Sequence, residues 1–449
     1  MSRSTHPNVL WIFGDQHRAQ STGYAGDPNL CTPNLDRLAA EGTVCTGALS
    51  GYPLCCPARG ALLTGLYPHR CVPGHEHPLP EGQPTIADVL GEAGYHTAYF
   101  GKWHLGGWRE SDGRAAFFIT DPARRGGFQE WLGYENNNSQ FDCWVHGGRD
   151  REAKHYPMAG YETDSLTESL LGYLARRKAG KGNGNDQPFV AVLSVQPPHN
   201  PYVAPERWME RHTPGRVVLR PNVPAIPHIV ERARRDLAGY HAMIENLDHN
   251  VGRIRTALAE LGLAQDTVIL FFSDHGDLHG SHGQFLKTAP WEESIRVPLI
   301  IGGGVPFYGM NGPRCDHPIN MPDIAPTTLG LCGVPVPAWM QGRDFSGVRI
   351  PGRALPADAD SALLQSIIPP AGHPDTVDRP WRGIVTRDGW KYVAFEGQPW
   401  LLFHLTTDPY EQVNLAHNPR FAADRRRLQE GQAQWLERTG DTFALPSLG

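Results

Sequence analysis

Cys55 stands two residues before Pro57 and four before Arg59, in the run Leu54-Cys55-Cys56-Pro57-Ala58-Arg59. Elsewhere the residues able to do chemistry follow short apolar runs. Asp15-Gln16 follows Val9 to Phe13, and Lys102 and His104 follow Thr97 to Phe100. His199 follows Phe189 to Val195, Asp274-His275 follows Thr267 to Phe272, and Lys287 lies downstream. Carboxylates with an imidazole can hold a divalent cation. Lysine and arginine can hold the oxygens of an anion, and histidine can move protons near neutrality. Each residue alone has a plainer reading. Cys55 could be a buried cysteine at a turn, Asp15 a helix cap, Lys102 a solvated lysine, and each histidine a satisfied structural one. The repetition of one arrangement, apolar run then polar residue, favours a shared site.

Unbroken apolar runs of four to seven residues suit strands buried on both faces of a mostly parallel sheet. Helical patterns lie between them at Pro33 to Glu41 (Thr32 as N-cap, Pro33 at the first helical position), Thr85 to Ala93, and about Ile229 to Leu261. Alternating strands and helices predict an α/β fold: a large mostly parallel, mixed sheet sandwiched by helices. In such sheets ligands bind at the carboxyl ends of the strands, where these polar residues fall. Residues 107–160 are rich in Gly, Asn and aromatics and read as an inserted loop region over the site. From about 350 the pattern changes to short strands at 383–386, 390–394 and 400–403, then a charged helix near 419–438. This divides the chain into a catalytic α/β domain, 1–350, and a C-terminal subdomain, 351–449, with an antiparallel sheet and terminal helix.

The 449 residues can bury a sizeable core. Fifty glycines and 40 prolines, roughly a fifth of the chain, predict many shaped loops. A net charge of −6 gives no basic footprint for nucleic acid, so an anionic substrate would need locally placed cations. No apolar run is long enough for a membrane span, and the N-terminal run is too short for a secretory h-region, so the expectation is a cytoplasmic protein without membrane association. The eight cysteines lack C-x-x-C spacing and indicate neither a disulfide framework nor a zinc ribbon.

The stretch L-C-x-P-x-R, followed by Gly60-Ala61-Leu62-Leu63-Thr64-Gly65, resembles the signature of type I, formylglycine-dependent sulfatases of the alkaline phosphatase superfamily. The resemblance continues in order through Asp15-Gln16, Thr32 to Ala39, Gly101-Lys102-Trp103-His104-Leu105-Gly106, His199, Asp274-His275-Gly276, Lys287 and Leu405 to Pro409 with Asn414-Leu415. It implies that Cys55 is oxidised by a formylglycine-generating enzyme, and that the aldehyde hydrate is the nucleophile toward a sulfate monoester, on a sulfated carbohydrate or an aryl sulfate. It further implies metal ligation by Asp15, Gln16, position 55, Asp274 and His275, with Ca²⁺ first and Mg²⁺ or Mn²⁺ open. Lys102, His199 and Lys287 would bind the sulfate, and His75 would line the substrate pocket. His104 would act as base on the hydrate, His199 or Lys287 would protonate the departing alcohol, and Arg59 would hold the hydrate's oxygens.

Two positions depart from the family pattern. Gln16 stands where a second aspartate is usual, and His275 where asparagine is usual, leaving about two formal negative charges in the metal shell. Phosphonate monoester hydrolases of the superfamily resemble this arrangement, and phosphonate monoester or phosphodiester hydrolysis is the alternative activity; Lys102 with His104 favours the sulfatase. A non-catalytic protein binding sulfated ligands would require a broken catalytic set.

Overall fold

The computed structural model describes residues 6–147, 154–180, 187–304, 314–370 and 377–447. Ten strands form one sheet: β1 (Asn8–Gly14), β2 (Thr43–Cys45), β3 (His96–Lys102), β4 (Glu130–Tyr134), β5 (Trp144–Gly147), β6 (Tyr156–Pro157), β7 (Phe189–Val195), β8 (Thr267–Ser273), β9 (Leu299–Gly303) and β10 (Arg314–Cys315). Their order is β10-β2-β9-β8-β1-β7-β3-β4-β5-β6. The five central strands β8, β1, β7, β3 and β4 run parallel, and antiparallel β9 and β5 make the sheet mixed.

The continuous apolar runs have the expected cause, because both faces of the sheet are covered. Along β1, Val9, Trp11 and Phe13 pack on one side, against the Cys55–Thr64 and Met321–Leu331 helices. Leu10 and Ile12 pack on the other, against the Pro33–Glu41, Glu162–Gly180 and Pro227–Glu260 helices. Trp11 is fully buried and its Nε1 donates to Thr328 Oγ1 at 3.1 Å; truncation to Ala would cost about 3–5 kcal/mol. Among the described residues no helix is long and apolar enough to cross a membrane.

The second sheet is antiparallel, in the order β11 (Ser361–Ser366), β12 (Trp381–Thr386), β13 (Trp390–Phe395), β14 (Gln398–His404). One face packs on Leu49 and Ile295 of the larger unit, the other on Tyr67 and the Ala422–Thr439 helix. Residues 107–160 differ from the loop expected there. They supply β4, β5 and β6, which extend the large sheet beyond β3; residues 148–153 of that stretch lie outside the described residues. Glu130-Trp-Leu-Gly-Tyr134 has no β-branched residue and a glycine at its fourth position, so its strand character arises from pairing with β3 and from Trp131 packing on Tyr99.

Candidate active site

Strand register brings the polar residues together. Gly14 pairs with Val195 on one side and Ser273 on the other, and Gly101 pairs with Ser194, so β1, β7, β8 and β3 end side by side. Asp15-Gln16, His199, Asp274-His275 and Lys102 to His104 therefore emerge at one edge. Gly101 has φ +111°, and a Cβ there would meet Ser194 O at 2.0 Å, so only glycine lets β3 deliver Lys102 beside β7. Left-handed backbone at Gln16, Glu76, His104, Leu286 and Thr288 also gathers around this edge. Such conformations cost stability and collect where side-chain aim matters.

Cys55 enters from the other direction, at the first turn of the Cys55–Thr64 helix, whose ten residues are all buried. Its Sγ lies 3.0 Å from Lys287 Nζ, 3.2 Å from His275 Nε2 and 3.6 Å from Asp15 Oδ1. Burial opposes ionisation of the thiol. Lys287, Lys102 and His275 outweigh it and hold the Cys55 pKa well below the usual thiol value. Neighbouring Cys56 is the opposite case: burial pushes it well above the thiol range.

Arg59, one turn further on, is a buried clamp. Nε donates to Asp274 Oδ2 at 3.0 Å, Nη2 to Asp15 Oδ2 at 3.1 Å, and Nη1 to Lys102 O and Ser194 Oγ at 2.7 and 2.8 Å. These bonds tie the two carboxylates and β3 together, so Arg59 holds the frame of the site. Lys102 Nζ adds an ion pair to Asp15 Oδ2 at 2.8 Å. Burial and Cys55 push the Asp15 pKa up, but Lys102, His199 and Lys287 together hold it well below the carboxylate range. Burial and Asp15 raise Asp274 to about 6.

Asp15, Cys55, Asp274 and His275 each offer a ligand atom within 4.8 Å of the others, and all are buried. His275 Nδ1 lies 3.0 Å from Gly276 O. A carbonyl only accepts, so Nδ1 carries the hydrogen and Nε2 faces inward. That nitrogen is 3.5 Å from Asp15 Oδ1 and 3.8 Å from Asp274 Oδ1. A lone pair between carboxylate oxygens calls for a positive charge, either a proton or a metal ion. Gln16 Oε1 closes the group, accepting from Lys287 Nζ at 2.9 Å. Two carboxylates, an amide oxygen and an imidazole thus fit a divalent ion.

Above this floor is a cavity of about 260 Å³ lined by Cys55, His75, His104, His199 and Lys287, with Trp108, Asn136 and Asn138 at its walls. Burial and Lys102 hold the His104 pKa at about 3, and burial and Lys287 lower that of His199. His199 Nδ1 is 2.7 Å from Asn200 O and must donate to it, so Nε2 is an acceptor in the neutral ring. Lys287 keeps its proton: burial works against it, but Cys55 and Asp15 raise its pKa. His75 sits between Cys56 (3.7 Å) and the ring of His104 (5.2 Å between centroids).

Some residues of this region were not singled out from the sequence. Glu135 accepts from Leu105 N and Gly106 N at 3.1 and 2.6 Å and so holds the loop after Lys102. With Asn136 and Asn138 it follows β4, the strand hidden inside the expected loop, and the strand-end rule would have found it. Asp277 grips Gln16 from behind, and its signal was a second acidic residue in Asp274-His275-Gly276-Asp277. His279 and His282 lie apart from the cavity. His279 packs on Tyr240 and pairs with Asp277, and His282 stacks on Trp291.

The family model described as Sulfatase matches residues 7–334, and the model of the N-sulphoglucosamine sulphohydrolase C-terminal region matches residues 280–437. The ulvan-active sulfatase of Formosa agariphila is 34% identical over 98% of this chain and 83% of its own length. The endo-4-O-sulfatase of Bacteroides thetaiotaomicron is 33% identical over 77% of this chain and 73% of its own. The solved structure of yidJ from Bacteroides fragilis superposes with a TM-score of 0.85 at 28% identity, covering 99% and 98% of the two chains. With matches that run through every strand end described above, the chain belongs to the sulfatase family and is a sulfuric ester hydrolase.

Proposed function

We propose that the enzyme hydrolyses a sulfate monoester carried on a saccharide, using Cys55 after its oxidation to formylglycine. The observation that carries this reading is the placement of Cys55 Sγ between Lys287 Nζ at 3.0 Å and His275 Nε2 at 3.2 Å. Sulfur there stands in for the oxygens of the hydrated aldehyde. The C-x-P-x-R frame argues against a working thiol; the cations at this point would hold an anion whether position 55 is a thiolate or the oxidised group. Oxidised, position 55 would supply a hydroxyl to attack sulfur and a second one through which sulfate could be released. The saccharide is suggested by the names of the ulvan-active and endo-4-O relatives, and Trp108, Asn136 and Asn138 supply an apolar face and amides suited to a sugar.

A divalent ion, Ca²⁺ in our reading, would be held by Asp15, Gln16, position 55, Asp274 and His275, and when bound it would lower the cost of negative charge at position 55. The chain's own residues account for the rest. Lys102 and Lys287 place two positive charges where sulfate oxygens would lie, which favours the charge built up as the ester bond breaks. His104, kept neutral by burial, is free to take a proton from position 55. His199, its pKa lowered by burial, is neutral with Nε2 open. The negative charge of a bound ester would raise its pKa, so substrate binding itself readies His199 to protonate the departing alcohol. The cavity walls exclude bulk water from these charges.

The test is production with and without a formylglycine-generating enzyme, with intact mass read alongside turnover of 4-nitrophenyl sulfate. Activity should track the modified fraction and vanish in Cys55→Ala. Full activity in unmodified protein would sink the formylglycine reading. Faster turnover of 4-nitrophenyl phenylphosphonate than of the sulfate would move the chain to the phosphonate hydrolases.

A further inference from the structure

Gln16 is the residue that departs from the family's second aspartate, and its amide is held from two opposite directions. Nε2 donates to Asp277 Oδ2 at 2.5 Å, and Oε1 accepts from Lys287 Nζ at 2.9 Å. An ionised carboxylate only accepts and an ammonium only donates, so only one of the two amide orientations satisfies both neighbours. Asp277 is itself immobilised. Tyr202 OH donates to Oδ2 at 2.6 Å, and the backbone N–H groups of His279 and Leu286 donate to Oδ1 at 3.0 and 3.1 Å. His279 Nε2 lies 3.3 Å from Oδ2. Gln16, Asp277 and His279 are fully or almost fully enclosed, and Tyr202 and Lys287 partly so.

We propose that Asp277 is a positioning residue that fixes the Gln16 amide with its oxygen toward the metal position, and that positions 16 and 277 form an exchangeable pair: one carboxylate and one amide, in either order. The inference rests on the metal reading of the site and deepens it. It accounts for the departure at position 16. The negative charge missing from Gln16 resides one hydrogen bond further out, on Asp277. A carboxylate at 16 facing Asp277 would bring two like charges into hydrogen-bonding range inside the protein, which is strongly unfavourable.

Asp277→Asn makes the reasoning testable. An asparagine with its oxygen toward Gln16 points its NH₂ at two backbone N–H donors. With its NH₂ toward Gln16, it forces the glutamine amide to turn its own NH₂ toward the metal position. Either arrangement leaves a donor facing a donor. Adding Gln16→Glu resolves the conflict without changing net charge. The carboxylate introduced at position 16 accepts from the NH₂ introduced at position 277, whose amide oxygen then accepts from His279 N and Leu286 N. Tyr202 OH can accept as well as donate.

The experiment is Ca²⁺ titration, by calorimetry and by thermal unfolding, of modified wild type, Asp277→Asn, Gln16→Glu and the Gln16→Glu/Asp277→Asn double variant. Wild type should bind and be stabilised. Each single variant should lose roughly ten- to a hundredfold in affinity, and the double variant should return to within a few-fold of wild type. Rescue separates orientation of the amide from mere loss of fold, because the double variant carries both substitutions. Undiminished binding by Asp277→Asn, or a double variant no better than the singles, would overturn the pairing while leaving the metal reading intact. Absence of Ca²⁺ binding by wild type would overturn the metal reading, and the pairing with it.

Discussion

Lys102 Nζ and Arg59 Nη2 meet at one oxygen of Asp15, Oδ2, at 2.8 and 3.1 Å, and leave Oδ1 to face Cys55. One carboxylate therefore has a saturated side and an open side. The saturated side is joined to the protein frame through Arg59, and the open side belongs to the reaction. Lys102 is thus both a support for Asp15 and a source of positive charge at the cavity floor.

Lys102→Met should for that reason affect two measurements together. Removing one partner of a buried ion pair costs about 3–5 kcal/mol, and the surviving Arg59 contact places the expected loss at the lower end. Loss of a preorganised charge aimed at the ester should lower kcat/KM about 10²–10³-fold. Thermal unfolding and steady-state turnover of 4-nitrophenyl sulfate check the pair; a fall in rate below tenfold would remove Lys102 from the reaction and leave it a structural role.

His199 can be tested through the leaving group. If it protonates the departing alcohol, its loss should matter little when the alcohol is acidic and greatly when it is not. His199→Asn should therefore reduce turnover of a sulfated sugar by about 10²–10⁴-fold, and that of 4-nitrophenyl sulfate far less. Equal losses on both esters would assign His199 to binding the sulfate. The same variant removes the 2.7 Å bond to Asn200 O, so the unfolding midpoint should be read alongside.

Much of this arrangement was legible in the sequence because two constraints coincide on the same residues. A strand buried on both faces must be apolar throughout, so the point where Phe13, Phe100, Val195 and Phe272 give way to polar residues marks the sheet edge. Pro33 likewise placed a helix start, and the helix expected from Thr85 begins one residue later, at Ile86, with Thr85 as its cap. Sequence patterns fail where pairing, and not composition, makes the strand. β4 has the sequence Glu-Trp-Leu-Gly-Tyr, and β11, missed at Ser361–Ser366, carries Gln365 turned inward to reach His69 and Asp441. Asp277 escaped notice for a related reason. Its importance lies in what it grips, and sequence spacing says nothing about Gln16, 261 residues away.

Arg382, a cation of the C-terminal unit that could have faced an anionic substrate, has its guanidinium consumed by structure. Nε donates to Asp441 Oδ2 at 2.6 Å, Nη2 to Asp441 Oδ1 at 3.1 Å, and Nη1 to Ser366 O at 2.8 Å. This bidentate pair pins the segment after the Ala422–Thr439 helix to β12. Asp441→Ala leaves a buried guanidinium without its counter-charge and should cost about 3–5 kcal/mol, with KM for small sulfate esters unchanged. A raised KM with an unaltered unfolding midpoint would place Arg382 on the substrate side.

Glu135 gives a pH dependence whose sign follows from its surroundings. Burial raises its pKa from 4.5 to about 7, against the stabilising N–H bonds from Gly106, Trp108 and Leu105. In the unfolded chain the group ionises near 4.5, so between pH 4.5 and 7 the folded state binds the extra proton. Its contribution is fully present below the unfolded pKa and is lost as pH rises through the folded one, a change of about 3 kcal/mol across the window. Glu135→Gln cannot ionise, and stability should lose that slope between about pH 5 and 7. The substitution also turns an NH₂ toward at least one backbone N–H of the loop that carries His104, so the variant should be less stable at about pH 5 and slower in kcat, with KM little changed. Urea unfolding of both proteins at about pH 5, 6 and 7 decides the matter: parallel slopes would show that Glu135 is ionised throughout, and that the loop is held by a carboxylate whose charge the fold has made room for.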